Sequence, residues 1–328
     1  MTCILTDRIK VIPVHMNSVF TSKFFSFDSN LDVKKFESLI NNLNDNDVYI
    51  LDFENIKNTI VSDSVATVAT GLLRKQVMMI NLKTSTYNTF QKYFEKDLID
   101  YENCELNKSL MTKQFPYDSI RLPELKNFKY LNKYLKEKCK INVQETNEPR
   151  LISSNVYVNK HFDLRRLFGN MDTVKIAVYL MAIKLNELEE KEKNLSGGYK
   201  LISSSFNGCI LANLIALIKM RKHISIPHLG PEIAVEDNRH MKYIKKGDKL
   251  VYIYDFIALG NEQNAVSVIA KLYNAEIVCS LGLTYYRHHE KYKTHSLIDF
   301  SEIAENVYFA AEKNDVIKLM RMNKNEKI

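Results

Sequence analysis

Apolar residues fall along this chain in two alternating rhythms: short unbroken runs, and longer stretches where they recur at every third or fourth position. Val48 to Phe53 and Gln76 to Leu82 are runs of the first kind, with the length and character of buried strands. Between them, Ser62 to Arg74 carries Val65, Val68, Ala69 and Leu72 at helical spacing, with Ser62 placed as its N-cap. Leu31 to Leu43 puts Val33, Phe36, Leu39, Ile40 and Leu43 on one helical face, and Tyr87 to Phe94 predicts a further helix. Strands separated by helices imply βαβ units and a mixed or parallel sheet.

From Pro123 to Cys139 the chain turns Lys- and Tyr-rich, with Leu125, Phe128, Leu131 and Leu135 forming one helical stripe. That stretch reads as a connecting helix, and the polar segment Asn142 to Pro149 as a linker. The second half then alternates again. A helix from Asp172 to Lys193 is stopped by Ser196-Gly197-Gly198, and strand Tyr199 to Ser203 follows. Next come helix Cys209 to Lys222, strand Lys249 to Asp255, helix Glu262 to Tyr273 and strand Glu276 to Leu283, with Asn274 as a helix end. This succession predicts an α/β protein of two α/β domains, the second a doubly wound parallel sheet. Ligands bind such sheets beyond the carboxyl ends of the strands, so the loops after Ser203, Asp255 and Leu283 are where chemistry belongs.

Composition narrows the classes. A chain of 328 residues has room for two cores. At 45% hydrophobic and 26% charged it is ordinary for a globular protein. A net charge of +7 is carried by scattered lysines, which fits a solvated surface and leaves nucleic acid a disfavoured partner. Cys3, Cys104, Cys139, Cys209 and Cys279 have no C-x-x-C spacing, against a disulfide framework or a zinc site. The longest apolar run, Gly208 to Ile218, is far short of the roughly 20 residues of a membrane span. Without the plan of a signal peptide at its start, the chain is expected to be cytoplasmic.

Two loops carry the candidate chemistry. Ser203, Ser204 and Ser205, with Asn207 and Gly208, lie between a strand and a helix. Small hydroxyl residues and a glycine let backbone N–H groups converge beside a helix N-terminus, which suits phosphate. A plain turn with capping serines has the same composition. The second loop follows the strand from Lys246-Gly247 through Tyr254 and Asp255 to Gly260, Asn261 and Glu262. Here the chain resembles the type I phosphoribosyltransferases: a basic–Gly lead, an apolar strand, an acid pair and a loop opening a helix. The resemblance continues in Ser203–Gly208 at the place of the pyrophosphate loop and in Ser153–Lys160, which looks like the start of an orotate phosphoribosyltransferase domain. Arg287 stands at the place of a basic residue after the last matching strand.

The resemblance implies that Asp255 contacts ribose and is the candidate catalytic residue. It also implies that Lys160 or Arg287 neutralises charge, and that Mg²⁺ accompanies a phosphorylated ligand. The departures are specific. The first acid of the pair is Tyr254, the paired threonines are Ala258 and Leu259, and the hydroxyl residue meant for a 5′-phosphate is Glu262. An ionised Glu262 pointing inward repels that phosphate, whereas pointing outward it is a common first-turn helix residue. Ile226 to Asn238, with His228, Glu232, Glu236 and Asp237, lies where the family carries a mobile loop, and Tyr285 to His295 mixes aromatic and basic residues.

In the first half, Leu51 to Ile56 followed by Ser62 to Ser64 is similar to STAS domains, which act as protein-interaction modules. That similarity makes Ser62 a candidate regulatory phosphorylation site, with a helix cap as its plain alternative. The expected organisation is a STAS-like domain over 1–118, a connecting helix and linker over 119–148, and a phosphoribosyltransferase-like domain over 149–328. The expected function is regulatory or sensing: a nucleotide or sugar-phosphate ligand in the second domain, a protein partner on the first, and no membrane. The alternatives are a divergent active phosphoribosyltransferase or nucleotide glycosidic-bond enzyme, and a component of a bacterial stress or phage-defence system that binds no small ligand.

Overall fold

The computed structural model describes residues 3–4, 9–14, 30–31, 33–54, 56, 58–59, 70–94, 98–101, 108–114, 128–152, 156–226, 242–286 and 292–325. The chain divides into two compact units, Met1–Leu131 and Asn132–Ile328. Among the described residues no helix is long and apolar enough to cross a membrane.

In the first unit, β1 (Cys3–Ile4) and β2 (Ile9–Pro13) precede β3 (Asn30–Leu31), α1 (Val33–Asn41) and β4 (Val48–Asp52). Then follow β5 (Asn58–Thr59), β6 (Gln76–Leu82), α2 (Thr84–Phe94), β7 (Leu98–Tyr101) and β8 (Lys108–Thr112). The main sheet runs β1-β2-β4-β6-β8-β7, while β3 and β5 pair separately. β2, β4 and β6 are parallel, and β1, β7 and β8 pair antiparallel at the flanks. Every residue of β4 is buried, as a strand covered on both faces requires. Phe36 of α1, Phe53 and Phe90 of α2 meet edge-on or tilted at 5.6–6.4 Å in the core. Of the helix expected over Ser62 to Arg74, residues 70–73 are helical; the rest, Ser62 included, lies outside the described residues.

Asp52, at the carboxyl end of β4, is 1% exposed. Its Oδ1 accepts from Asn81 Nδ2 at 2.9 Å and from the Glu54 N–H at 3.0 Å, and its Oδ2 accepts from the Tyr130 hydroxyl at 2.9 Å. Burial outweighs these donors and pushes the carboxyl up to about 6.

α3 (Lys129–Ile141) carries the chain into the second unit. β9 (Val143–Ile152) and β10 (Val156–Phe162) follow, then α4 (Leu164–Phe168), α5 (Met171–Lys191) and α6 (Lys193–Ser196). The stretch Asn142 to Pro149, expected as a linker, is instead mostly strand. Glu145 pairs with Lys160 and Arg150 with Val158, and the Thr146 hydroxyl donates to the Asn159 carbonyl at 2.6 Å. β9 is the edge of a sheet ordered β16-β10-β9. Its exposed side carries Glu145, Glu148 and Arg150, and this polarity imitates a linker.

The larger sheet contains β11 (Lys200–Ser203), β12 (His223–Ser225), β13 (Lys249–Ile257), β14 (Glu276–Tyr285) and β15 (Thr294–Asp299). α7 (Phe206–Lys219) follows β11 and α8 (Asn261–Leu272) follows β13. A 3₁₀ turn (Phe300–Glu302), β16 (Phe309–Ala310) and α9 (Lys313–Asn325) complete the described chain. All five strands are parallel, in the order β12-β11-β13-β14-β15. From β11 the chain steps outward to β12, then returns past β11 to β13. The direction of winding reverses there, and right-handed crossovers therefore place α7 and α8 on opposite faces. The expected doubly wound α/β sheet is what forms. Its reversal opens a crevice between the carboxyl ends of β11 and β13.

Candidate ligand-binding cleft

The crevice at the reversal is a cleft, partly open to solvent, lined by Leu164, Ser205 and the run Asp255–Gln263. Its two walls are the two strand-to-helix turns, and they are built differently.

The turn after β11 is closed upon itself. The Ser205 side chain caps α7 by accepting from the Gly208 N–H at 3.0 Å, and its hydroxyl donates to Asp255 Oδ1 at 2.8 Å. A Cβ on Gly208 would lie 2.6 Å from Ser205 Oγ and 3.1 Å from the Ile253 carbonyl oxygen. Only glycine lets α7 approach β13 this closely. Ser204 Oγ lies 2.9 Å from the Tyr252 hydroxyl and 3.5 Å from Glu262 Oε2. Ser203 is fully buried; its Oγ is 2.7 Å from His223 Nε2 and 3.1 Å from Cys209 Sγ. His223 Nδ1 is 3.0 Å from Asn213 Oδ1. Burial pushes this imidazole down to about 4, so it is neutral near pH 7. Its Nδ1–H donates to Asn213, and Nε2 accepts from Ser203. All three serine hydroxyls are therefore engaged by side chains of the protein itself.

The turn after β13 is open. Gly260, in the left-handed region at φ 79°, precedes α8 and gives it no side-chain cap. The first-turn N–H groups of such a helix have no partner within the helix and carry its positive end to the cleft. Glu262 points inward from this turn toward Ser204. Burial first, and the Glu262 charge second, hold the Tyr252 phenol far above its ordinary range, so it remains protonated. A phosphate seated at the same helix end meets this carboxylate. Two like charges about 4 Å apart in a partly screened site repel by roughly 4 kcal/mol, against about 0.3–1 kcal/mol offered by the helix end. Gln263, fully buried, donates from Nε2 to Ser280 Oγ at 2.9 Å and to Thr294 Oγ1 at 2.8 Å, while its Oε1 has no partner.

Consecutive strand residues face opposite sides, and this separates Tyr254 from Asp255. Asp255 lines the cleft and is 8% exposed. Tyr254 turns into the core on the α8 side, where its hydroxyl donates to the His295 carbonyl at 2.6 Å. Its ring lies where a side chain on Gly282 would be, 2.3 Å from an ideal Cβ there. The residue at the place of the first acid is thus a core side chain.

Of the residues expected at the site, Ser205, Asp255, Gly260, Asn261 and Glu262 line the cleft, and Ser204 adjoins it through Glu262. Ser203 points away. Asn207 and Gly208 belong to the first turn of α7 and are not on the lining. Lys160 is on β10, 3.8 Å from Glu145, and also is not on the lining. Arg287 and the acids and histidine over 227–241 lie outside the described residues. Leu164 and Gln263 line the cleft without having been anticipated. Gln263 was within reach of sequence reasoning as a first-turn neighbour of Gly260, whereas nothing in local spacing ties Leu164 to β13.

Among the described residues no three His, Cys, Asp or Glu side chains converge as a metal cage. Asp255 and Glu262 nevertheless supply the oxygen donors Mg²⁺ takes when it arrives on a phosphorylated ligand, which needs only one or two carboxylates. These two residues would hold it, and the ion would offset phosphate charge.

No protein-family model and no curated protein matches the chain. Among solved structures it is similar to an orotate phosphoribosyltransferase from Mycobacterium tuberculosis H37Rv in complex with Fe(III) dicitrate. The identity is 13% and the TM-score 0.39, over 53% of this chain and 99% of that one. The Aeropyrum pernix orotate phosphoribosyltransferase gives 18% and 0.37, over 53% and 95%. An adenine phosphoribosyltransferase from Saccharomyces cerevisiae, complexed with an imino-altritol bisphosphate and adenine, gives 14% and 0.39, over 51% and 99%.

Proposed function

We propose that the protein is a regulatory or sensing module whose phosphoribosyltransferase-like second unit binds a nucleotide-type ligand through its ribose at the β11–β13 cleft. The STAS-like pattern of the first unit suits it to pass the bound state to a protein partner. One observation carries the reading: the acid expected to hold ribose is kept, while the groups around it expected to serve transfer are not. Asp255 lines the cleft with Ser205 donating to one of its oxygens. Tyr254 is committed to the core, and Glu262 replaces a hydroxyl residue.

The test is calorimetry of the full chain against nucleosides, nucleotides, nucleobases, ribose 5-phosphate and phosphoribosyl pyrophosphate, with and without Mg²⁺. At least one ribose-bearing compound is expected to bind, and Asp255→Asn to weaken it by about ten-fold, or 1.4 kcal/mol. Silence across the whole panel would remove the proposal. Incubation with phosphoribosyl pyrophosphate, Mg²⁺ and a panel of bases is expected to give no nucleotide. Product that disappears in Asp255→Asn would establish the enzymatic alternative instead.

A further inference from the structure

We propose that Glu262 fills the anion seat of the cleft with its own carboxylate, so that the cleft takes a ribose-bearing ligand without a phosphate there: a nucleoside in preference to its 5′-monophosphate. The inference rests on the ribose reading above for the place of the ligand and narrows its chemical class.

The donors and acceptors at the seat point the same way. α8 is a helix of 12 residues that opens on the cleft at Gly260 with no side-chain cap, so its first N–H groups call for an acceptor. A phosphate dianion has acceptors only and offers nothing to the carboxylates of Asp255 and Glu262 on the lining, whereas a hydroxyl both donates and accepts. Glu262 reaches into the same corner, 3.5 Å from Ser204 Oγ. Among the described lining residues two are carboxylates, Asp255 and Glu262, and none is Lys or Arg. Such a lining favours sugar hydroxyls donating to acids over a phosphate laid against them.

Glu262 is therefore a specificity-determining residue, and changing it should move selectivity more than overall affinity. The experiment is calorimetry of the full chain, in buffer with EDTA, against adenosine and uridine and against their 5′-monophosphates. Wild type is expected to bind a nucleoside at least about ten-fold more tightly than its monophosphate. Glu262→Ser is expected to tighten the monophosphate by about ten-fold or more and to weaken the nucleoside by a few-fold, since the phosphate escapes the charge while the sugar loses an acceptor. Glu262→Gln, which keeps size and removes charge, should fall between the two, and thermal melting checks that both variants fold. A wild type that binds monophosphate as tightly as nucleoside, or a ratio unmoved by both variants, overturns the inference and leaves the ribose reading standing. Failure of every nucleoside and nucleotide to bind any of the three proteins overturns the ribose reading as well.

Discussion

Asp52 and Asp255 stand in corresponding places in the two units, each a buried acid near the carboxyl end of a strand flanked on both sides by parallel neighbours. Their surroundings differ. Asp52 receives three donors, one of them the Tyr130 hydroxyl, which seals it in the interior. Asp255 lines the cleft and receives the Ser205 hydroxyl. The same residue type in the same topological place is a structural element in one unit and a candidate ligand contact in the other. The neighbouring turns decide which, and strand position alone does not.

Variants at and around the two acids test that distinction. The largest expected effect is at Asp52. Its folded carboxyl keeps its proton to about pH 6, against 3.8 for an ordinary aspartate. The folded state thus binds the proton more tightly than the unfolded state. The contribution of this carboxyl to stability is therefore full below about pH 4 and is lost as pH rises through about 6, about 3 kcal/mol for two units. Asp52→Asn should match wild type near pH 4 and exceed it by up to about 3 kcal/mol at pH 7.5 in urea denaturation. A constant difference across that range would show that the carboxyl does not hold the proton. Next is Gly208→Ala. Alanine is the better helix former by about 1 kcal/mol, yet the clash with Ser205 Oγ and the Ile253 carbonyl should leave the variant about 2 kcal/mol less stable. A stabilised variant would mean that α7 can move off β13. Ser205→Ala should lose about 1 kcal/mol with its cap, read from the same denaturation midpoint. Smallest is the stability change for Asp255→Asn, within about 0.5 kcal/mol, because the Ser205 hydroxyl can still donate to the amide oxygen. A large change in either direction would make Asp255 a structural acid like Asp52.

The parts of the fold readable from sequence were those where burial on both faces leaves a continuous apolar signature. β4, β6 and β13 are such strands, and α5 is buried along most of its length. β9 was unreadable for the converse reason, as an edge strand with Glu145, Glu148 and Arg150 on its open side. The short strands β1 and β2 and the late elements β15, β16 and α9 carry too little pattern of their own, and long-range pairing defines them. At the cleft, the run Asp255–Glu262 was legible because the turn is local. The separation of Tyr254 from Asp255 follows from strand alternation and was equally available. The commitment of each serine hydroxyl was not, because its partners, His223, Tyr252 and Asp255, come from other strands.

The fit of the Tyr254 ring over Gly282 ties the two positions to each other. An aspartate at 254 would strand an unpaired charge over an emptied hollow, and a larger residue at 282 would collide with the ring. The two positions form an interlock: a change at either one alone leaves the strand with a hollow or a clash.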